Sequence, residues 1–282
     1  MKFSKESFYQ FWLKSWTISF FIFVLSFLIF GYLTYFLLNI FYPLAFFASA
    51  FVANLNVIYL QNFRLWHFFG LLINRYSIKH FVIGFSLPFI FFLPILLFLL
   101  PFGLEIQRVD VFKILTTGFF QFFSASTEEL IFRGVLFQRL VERKGNILAI
   151  FLFSIFFAVL HLFNPYFSFI ALLNLFLASI LLSIMFIRTY MLWLPIGFHF
   201  GWNFWQAFLL SSPVSGMNFE IGIFNTKITI FNELIFGGSF GIEGGVCSTI
   251  IITFTIWLVA KYFIPVPEVY SRVLREKYTL KF

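Results

Sequence analysis

The sequence predicts an all-α, polytopic transmembrane helix bundle, and three observations carry that prediction. The 282-residue chain is 61% hydrophobic and 11% charged, well above the apolar share of roughly half found in soluble domains. Several apolar runs exceed the ~18 to 20 residues with which a helix crosses a hydrocarbon core. Lysines and arginines recur in alternate connections, as expected of loops on the cytoplasmic side.

Read between charge clusters and Pro/Gly breaks, the apolar runs give about eight spans: 15–38, 43–60, 81–103, 111–138, 146–163, 167–187, 189–211 and 245–265. The first follows a basic start of Lys2, Lys5 and Lys14. Its apolar stretch is longer than the ~7 to 15 residues of a cleavable signal, so it reads as a retained span. Cations follow the second span (Arg64, Arg75, Lys79), the fourth (Arg139, Arg143, Lys144), the sixth (Arg188) and the eighth (Lys261, Arg272, Arg275, Lys277, Lys281). Both termini are therefore expected in the cytoplasm. These loops account for the formal charge of +8 without a nucleic-acid partner, and the single cysteine, Cys247, leaves no intrachain disulfide or thiolate metal cluster.

Two segments fall outside the span pattern. Residues 64–80 mix bases with Trp66, Phe68, Phe69 and Leu71, which suits an interfacial helix or a plain loop; His67 and His80 there read as ordinary surface residues. Residues 221–240 are broken by Asn225, Asn232, Gly237 and Gly238, and read as a surface or re-entrant element rather than a ninth crossing. With no internal repeat, the chain reads as a single integral membrane domain over 1–282, with a motif-bearing core at about 111–211.

That core holds charge at membrane depth. The stretch S-T-E-E-L-I-F-R-G places Glu128, Glu129 and Arg133 inside the fourth span, where together they cost on the order of 8 to 10 kcal/mol before pairing. Glu129 and Arg133 are four apart and can neutralise one another. Glu128 points about 100° away and has no base three or four positions along its own helix, so its partners must come from other spans. Two spans supply histidines: His161, with Phe157 one turn earlier, and His199, with Asn203 one turn later. At about 1.5 Å rise per residue, Glu128, His199, Asn203 and His161 lie roughly 16, 15, 21 and 22 Å from their cytoplasmic ends, close enough in depth to share one cavity. Asn174, Ser179, Thr249 and Thr253 read as helix-packing groups bonded to backbone or to one another.

Three motifs in order, E-E-x-x-x-R (Glu128, Glu129, Arg133), F-x-x-x-H (Phe157, His161) and H-x-x-x-N (His199, Asn203), resemble the CPBP family of intramembrane proteases, which includes CAAX prenyl endopeptidases and bacteriocin-immunity homologues. The resemblance runs from about Phe119 to Gln206. It implies peptide-bond hydrolysis in the membrane: Glu128 activates a water with help from His161, His199 and Asn203 donate to the oxyanion, and Glu129 with Arg133 orients the site. No metal or cofactor is needed in this reading; the alternative is a zinc ion on Glu128, His161 and His199. The implied partners are a peptide or membrane-protein substrate and the bilayer. The substrate is a prenylated CAAX-type tail or, given Phe and Ile usage typical of an AT-rich genome, a bacterial peptide at the inner membrane. Two other classes remain open: a proton-coupled transporter using Glu128, His161 and His199 as a relay, and a non-catalytic immunity or scaffold protein.

Overall fold

Each apolar run of the sequence is helical in the computed structural model, which describes residues 16–37, 42–60, 70–71, 73, 75–102, 105–226 and 232–262. The helices are α1 (Trp16–Leu37), α2 (Tyr42–Leu60), α3 (Arg75–Leu99), α4 (Val111–Phe132), α5 (Val135–Lys144), α6 (Asn146–Leu160), α7 (Phe169–Thr189), α8 (Trp193–Leu210), the single turn α9 (Glu233–Phe236) and α10 (Val246–Lys261). Five of them, α1, α2, α3, α6 and α7, are long and apolar enough to cross a membrane. The chain is thus an all-α integral membrane bundle. Helices α4 and α8 are not among those five because their polar residues, including Glu128, Glu129, His199 and Asn203, dilute their hydropathy.

Several sequence expectations are corrected. The run at 111–138 is not one helix: α4 ends at Phe132 and a separate helix, α5, begins at Val135. The third span begins at Arg75 rather than at residue 81, so His80 lies inside α3 and is only 1% exposed. Expected as a surface residue, it is core. Arg75 and Lys79 belong to the start of α3, whereas Arg64, Trp66, His67, Phe68 and Phe69 lie outside the described residues. So do Lys2, Lys5, Lys14 and the cations from Arg272 onward, on which the cytoplasmic placement of the termini rests.

The break between α4 and α5 has a local cause. Gly134 follows Arg133, and a Cβ at Gly134 would overlap Leu130 O and the Asn54 side chain. That amide, on α2, caps both helices: Asn54 Oδ1 accepts from Val135 N at 2.8 Å, and its Nδ2 donates to Leu130 O at 3.1 Å and Ala50 O at 2.8 Å. Where no water reaches, a helix end must find such partners within the protein.

Helices α3 and α8 run parallel, with Phe81 against Gly197 and Phe85 against Gly201. The two glycines stand four apart, and a third, Gly84, meets Leu194 O and Phe198 N, so the backbones approach as small-residue seams permit in membranes. Trp205 Nε1 adds a 2.9 Å bond to Phe85 O. His199, midway between Gly197 and Gly201, is turned by helical geometry to the opposite face, toward α4.

Residues 211–226 and 232–245 contain no helix longer than the single turn α9. They fold back on the bundle, tied by the two-residue ribbon β1 (Glu105–Ile106) with β2 (Phe224–Asn225) and by Thr226 Oγ1 donating to Leu210 O. Ile221, Phe236, Phe240 and Ile242 are buried there.

Replacing Asn54 by Leu strands Val135 N–H and Leu130 C=O, each a buried backbone group worth about 1–3 kcal/mol when unpaired. The expected outcome is a loss of about 2–4 kcal/mol, read as a lower midpoint in denaturant titration of the detergent-solubilised protein; an unchanged midpoint refutes the capping role.

Candidate active site

The site is assembled from the buried charge outward. Arg133, fully buried at the end of α4, gives Nη1 to Glu129 Oε1 at 3.2 Å. Its Nη2 reaches Ser179 O at 2.8 Å and Ser179 Oγ at 2.6 Å, and its Nε reaches Ser183 Oγ at 3.3 Å. The guanidinium also lies over Phe157, 5.4 Å from the ring centre. Ser179 and Ser183, one turn apart on α7, are therefore ligands of this cation rather than packing groups. Their i,i+4 spacing was the available signal.

Glu129, likewise fully buried, serves two partners: the same Oε1 that takes Arg133 lies 2.9 Å from His199 Nδ1. A carboxylate has about four acceptor positions and can hold both. Its neighbour Glu128 turns to the histidines, as the helical angle required. Glu128 Oε2 is 3.8 Å from His199 Nε2 and 3.9 Å from His161 Nε2, which is ion-pair range and beyond a hydrogen bond.

His161 caps α6. Its Nδ1 lies 2.7 Å from Phe157 O and its ring packs on Phe157 with centres 4.6 Å apart, so the F-x-x-x-H spacing orients the imidazole. A carbonyl only accepts, so Nδ1 carries a proton, and Nε2 is the ring atom turned to Glu128. Asn203, one turn along α8 from His199, completes the group. Glu128, His161, His199 and Asn203 all line one cavity of about 610 Å³, while Glu129 and Arg133 lie behind it.

Residues that the sequence did not single out share this cavity. From α4 comes Gln121, seven residues before Glu128 and on the same helical face; from the segment after α8 come Ser215, Asn218 and Glu243. Glu243 accepts from Ser215 N at 2.8 Å, Ser215 Oγ at 2.7 Å and Gln206 Nε2 at 3.1 Å. Burial pushes its carboxyl above the usual range against the pull of those donors. Asn174 holds the same turn by donating to Glu243 O and Gly245 O while accepting from Thr249 Oγ1, the packing role read from the sequence.

Among the described residues, no group of three or more His, Cys, Asp or Glu side chains is disposed to hold a metal ion.

Residues 110–205 match the family model of Rce1-like type II CAAX prenyl endopeptidases. No curated protein matches the chain.

Because Glu129 and Arg133 are both fully buried, removing one strands the other, at about 3–5 kcal/mol. Arg133→Met is expected to lower stability by that amount, and Arg133→Met combined with Glu129→Leu to recover most of it, in the same denaturant titration. Equal losses in the single and double variants refute the coupling.

Proposed function

Membership of the chain in the CPBP family of CAAX-type proteases, supported by the match over residues 110–205, is the premise from which we propose that it is an intramembrane endopeptidase using a glutamate-activated water. The observation that carries this reading is Glu128 Oε2 facing the Nε2 atoms of both His161 and His199 over one cavity.

In the proposed reaction a water gives one hydrogen bond to Glu128 and the other to the His161 Nε2 lone pair. It attacks the scissile carbonyl carbon as its proton passes to Glu128. The carbonyl oxygen becomes an oxyanion held by Asn203 Nδ2 and His199 Nε2. For Nε2 to donate while Nδ1–H is given to Glu129, the His199 ring must carry both protons. Glu128 then returns its proton to the leaving nitrogen as the C–N bond breaks. Arg133 acts through Glu129, which fixes the His199 ring. Donors set in advance in a dry cavity stabilise developing charge by about 3 kcal/mol each.

Phenylalanine- and isoleucine-rich usage favours a bacterial inner membrane as the location and a bacterial membrane peptide or protein terminus as the substrate, over a prenylated tail. The metal-free reading rests on the lack of an H-E-x-x-H motif in the sequence and on the role that Glu128, His161 and His199 each take in the water step.

The test is reconstitution in liposomes with a peptide library. The expected outcome is cleavage by the wild type that survives a chelator and falls about 100- to 10,000-fold in Glu128→Gln, with Asn203→Ala losing about 100-fold in kcat. A wild type that moves protons but cuts nothing replaces this reading with the transporter; chelator-sensitive cleavage replaces the metal-free step.

A further inference from the structure

Gln121 is 3% exposed, yet neither its amide nitrogen nor its amide oxygen has a hydrogen-bond partner. Each such buried group is costly when left unpaired, and a buried amide without partners calls for an explanation. Of the bundle's other buried amides, Asn54 and Asn174 are each bonded through both the nitrogen and the oxygen, and Gln206 through its nitrogen while its oxygen has no partner. What distinguishes Gln121 is its place on the cavity wall, on the α4 face that also contributes Ser124, Glu128 and Phe132.

We propose that the Gln121 carboxamide is a binding site for substrate main chain, pairing with the N–H and C=O of one residue. This rests on the endopeptidase reading and extends it to how the substrate is held. A primary amide offers one acceptor and a pair of donors, and a residue in extended conformation presents the complementary N–H and C=O on one edge. Spacing supplies the register. Seven residues of helix separate Gln121 from Glu128, about 10 Å along the axis. An extended chain advances about 3.3 Å per residue, so the recognised residue lies about three residues from the scissile bond. The cavity wall on α4 runs from Phe120 to Phe132, about 18 Å, which accommodates some five extended residues with Glu128 inside that length. Recognition through main chain does not depend on the identity of the side chain at that position.

The experiment uses the full-length protein in liposomes and one cleaved peptide from the library, prepared with all amides and as a set of single amide-to-ester replacements along its length. In the wild type, one ester two to four residues from the scissile bond is expected to lower kcat/KM about tenfold, with esters more than five residues away having no effect. Gln121→Leu, which is nearly isosteric, is expected to lower kcat/KM for the all-amide peptide about tenfold, mainly through KM. It is also expected to erase the penalty of that ester. Its thermal midpoint should equal or exceed that of the wild type, because a buried unpaired amide is removed; a lower midpoint would make Gln121 a structural residue and overturn the proposal. A wild type that cuts no peptide removes the endopeptidase reading and this inference with it. A wild type that cuts, while Gln121→Leu keeps the full amide-over-ester preference, removes this inference alone.

Discussion

A guanidinium with no exposure holds the site in register. Arg133 stands where α4 breaks, and its donors reach Glu129 on α4 and two serines on α7, while its face rests on Phe157 of α6. Glu129 passes the constraint to α8 through His199, and Phe157 passes it to His161 through ring packing and its carbonyl. Four helices are thus referred to one cation, which has nowhere else to go. Its desolvation cost is high, and such a group is tolerated in a membrane protein when every donor is directed to a partner. The break itself is part of the device. Ending α4 at Phe132 lets the Arg133 side chain lie between helices, and Asn54 supplies from α2 the caps that the broken helices lack.

Much of this was legible in the sequence because helical geometry leaves few choices. Glu128 has no base within reach on its own helix, so partners from other spans were required, and the two intramembrane histidines were the available candidates. The i,i+4 spacing of Glu129 and Arg133 likewise determined their contact. The bond between Glu129 and His199 was not legible, because a carboxylate already paired with arginine looks complete when counted by charge; its remaining lone pairs are visible only once α8 is placed beside α4. The helix break was missed because hydropathy runs smoothly through residues 111–138, although a glycine directly after a buried arginine was a signal. His80 was misplaced because its basic neighbours suggested an interface, whereas only the helix start at Arg75 shows that it turns inward.

The segment after α8 exposes a different limit. Residues 211–226 and 232–245 carry no strong periodicity, yet they contribute Ser215, Asn218 and Glu243 to the cavity. Irregular backbone at membrane depth is stable only where it is buried in protein or lines a polar cavity. Glu243 meets that condition: its carboxylate takes the Ser215 N–H and hydroxyl while Gln206 on α8 approaches from the other side. Gln206 lies on the same helical stripe as Asn203 and His199. The turn is therefore braced against the helix face that presents both proposed oxyanion donors. A sequence window sees only a glycine-rich segment in which Glu220, Glu233 and Glu243 look alike.

Buried polar atoms without a partner occur in this bundle both away from the cavity, as at His80 Nδ1, Ser154 Oγ and Gln206 Oε1, and on its wall. Asn54, Asn174, Arg133 and Ser179 are bonded within the bundle. Glu128 Oε2, Glu129 Oε2 and both amide atoms of Gln121 are buried without a partner, and Glu128 and Gln121 line the same cavity. An unpaired buried polar atom costs about 1–3 kcal/mol, so several together consume a sizeable fraction of the stability typical of a domain, about 5–15 kcal/mol. A bundle that caps a helix break with an amide from another helix has the means to satisfy these groups too. Along the inner face of α4 they are instead left for a polar guest, and a peptide segment, which brings its own donors and acceptors into the membrane, has the complementary chemistry.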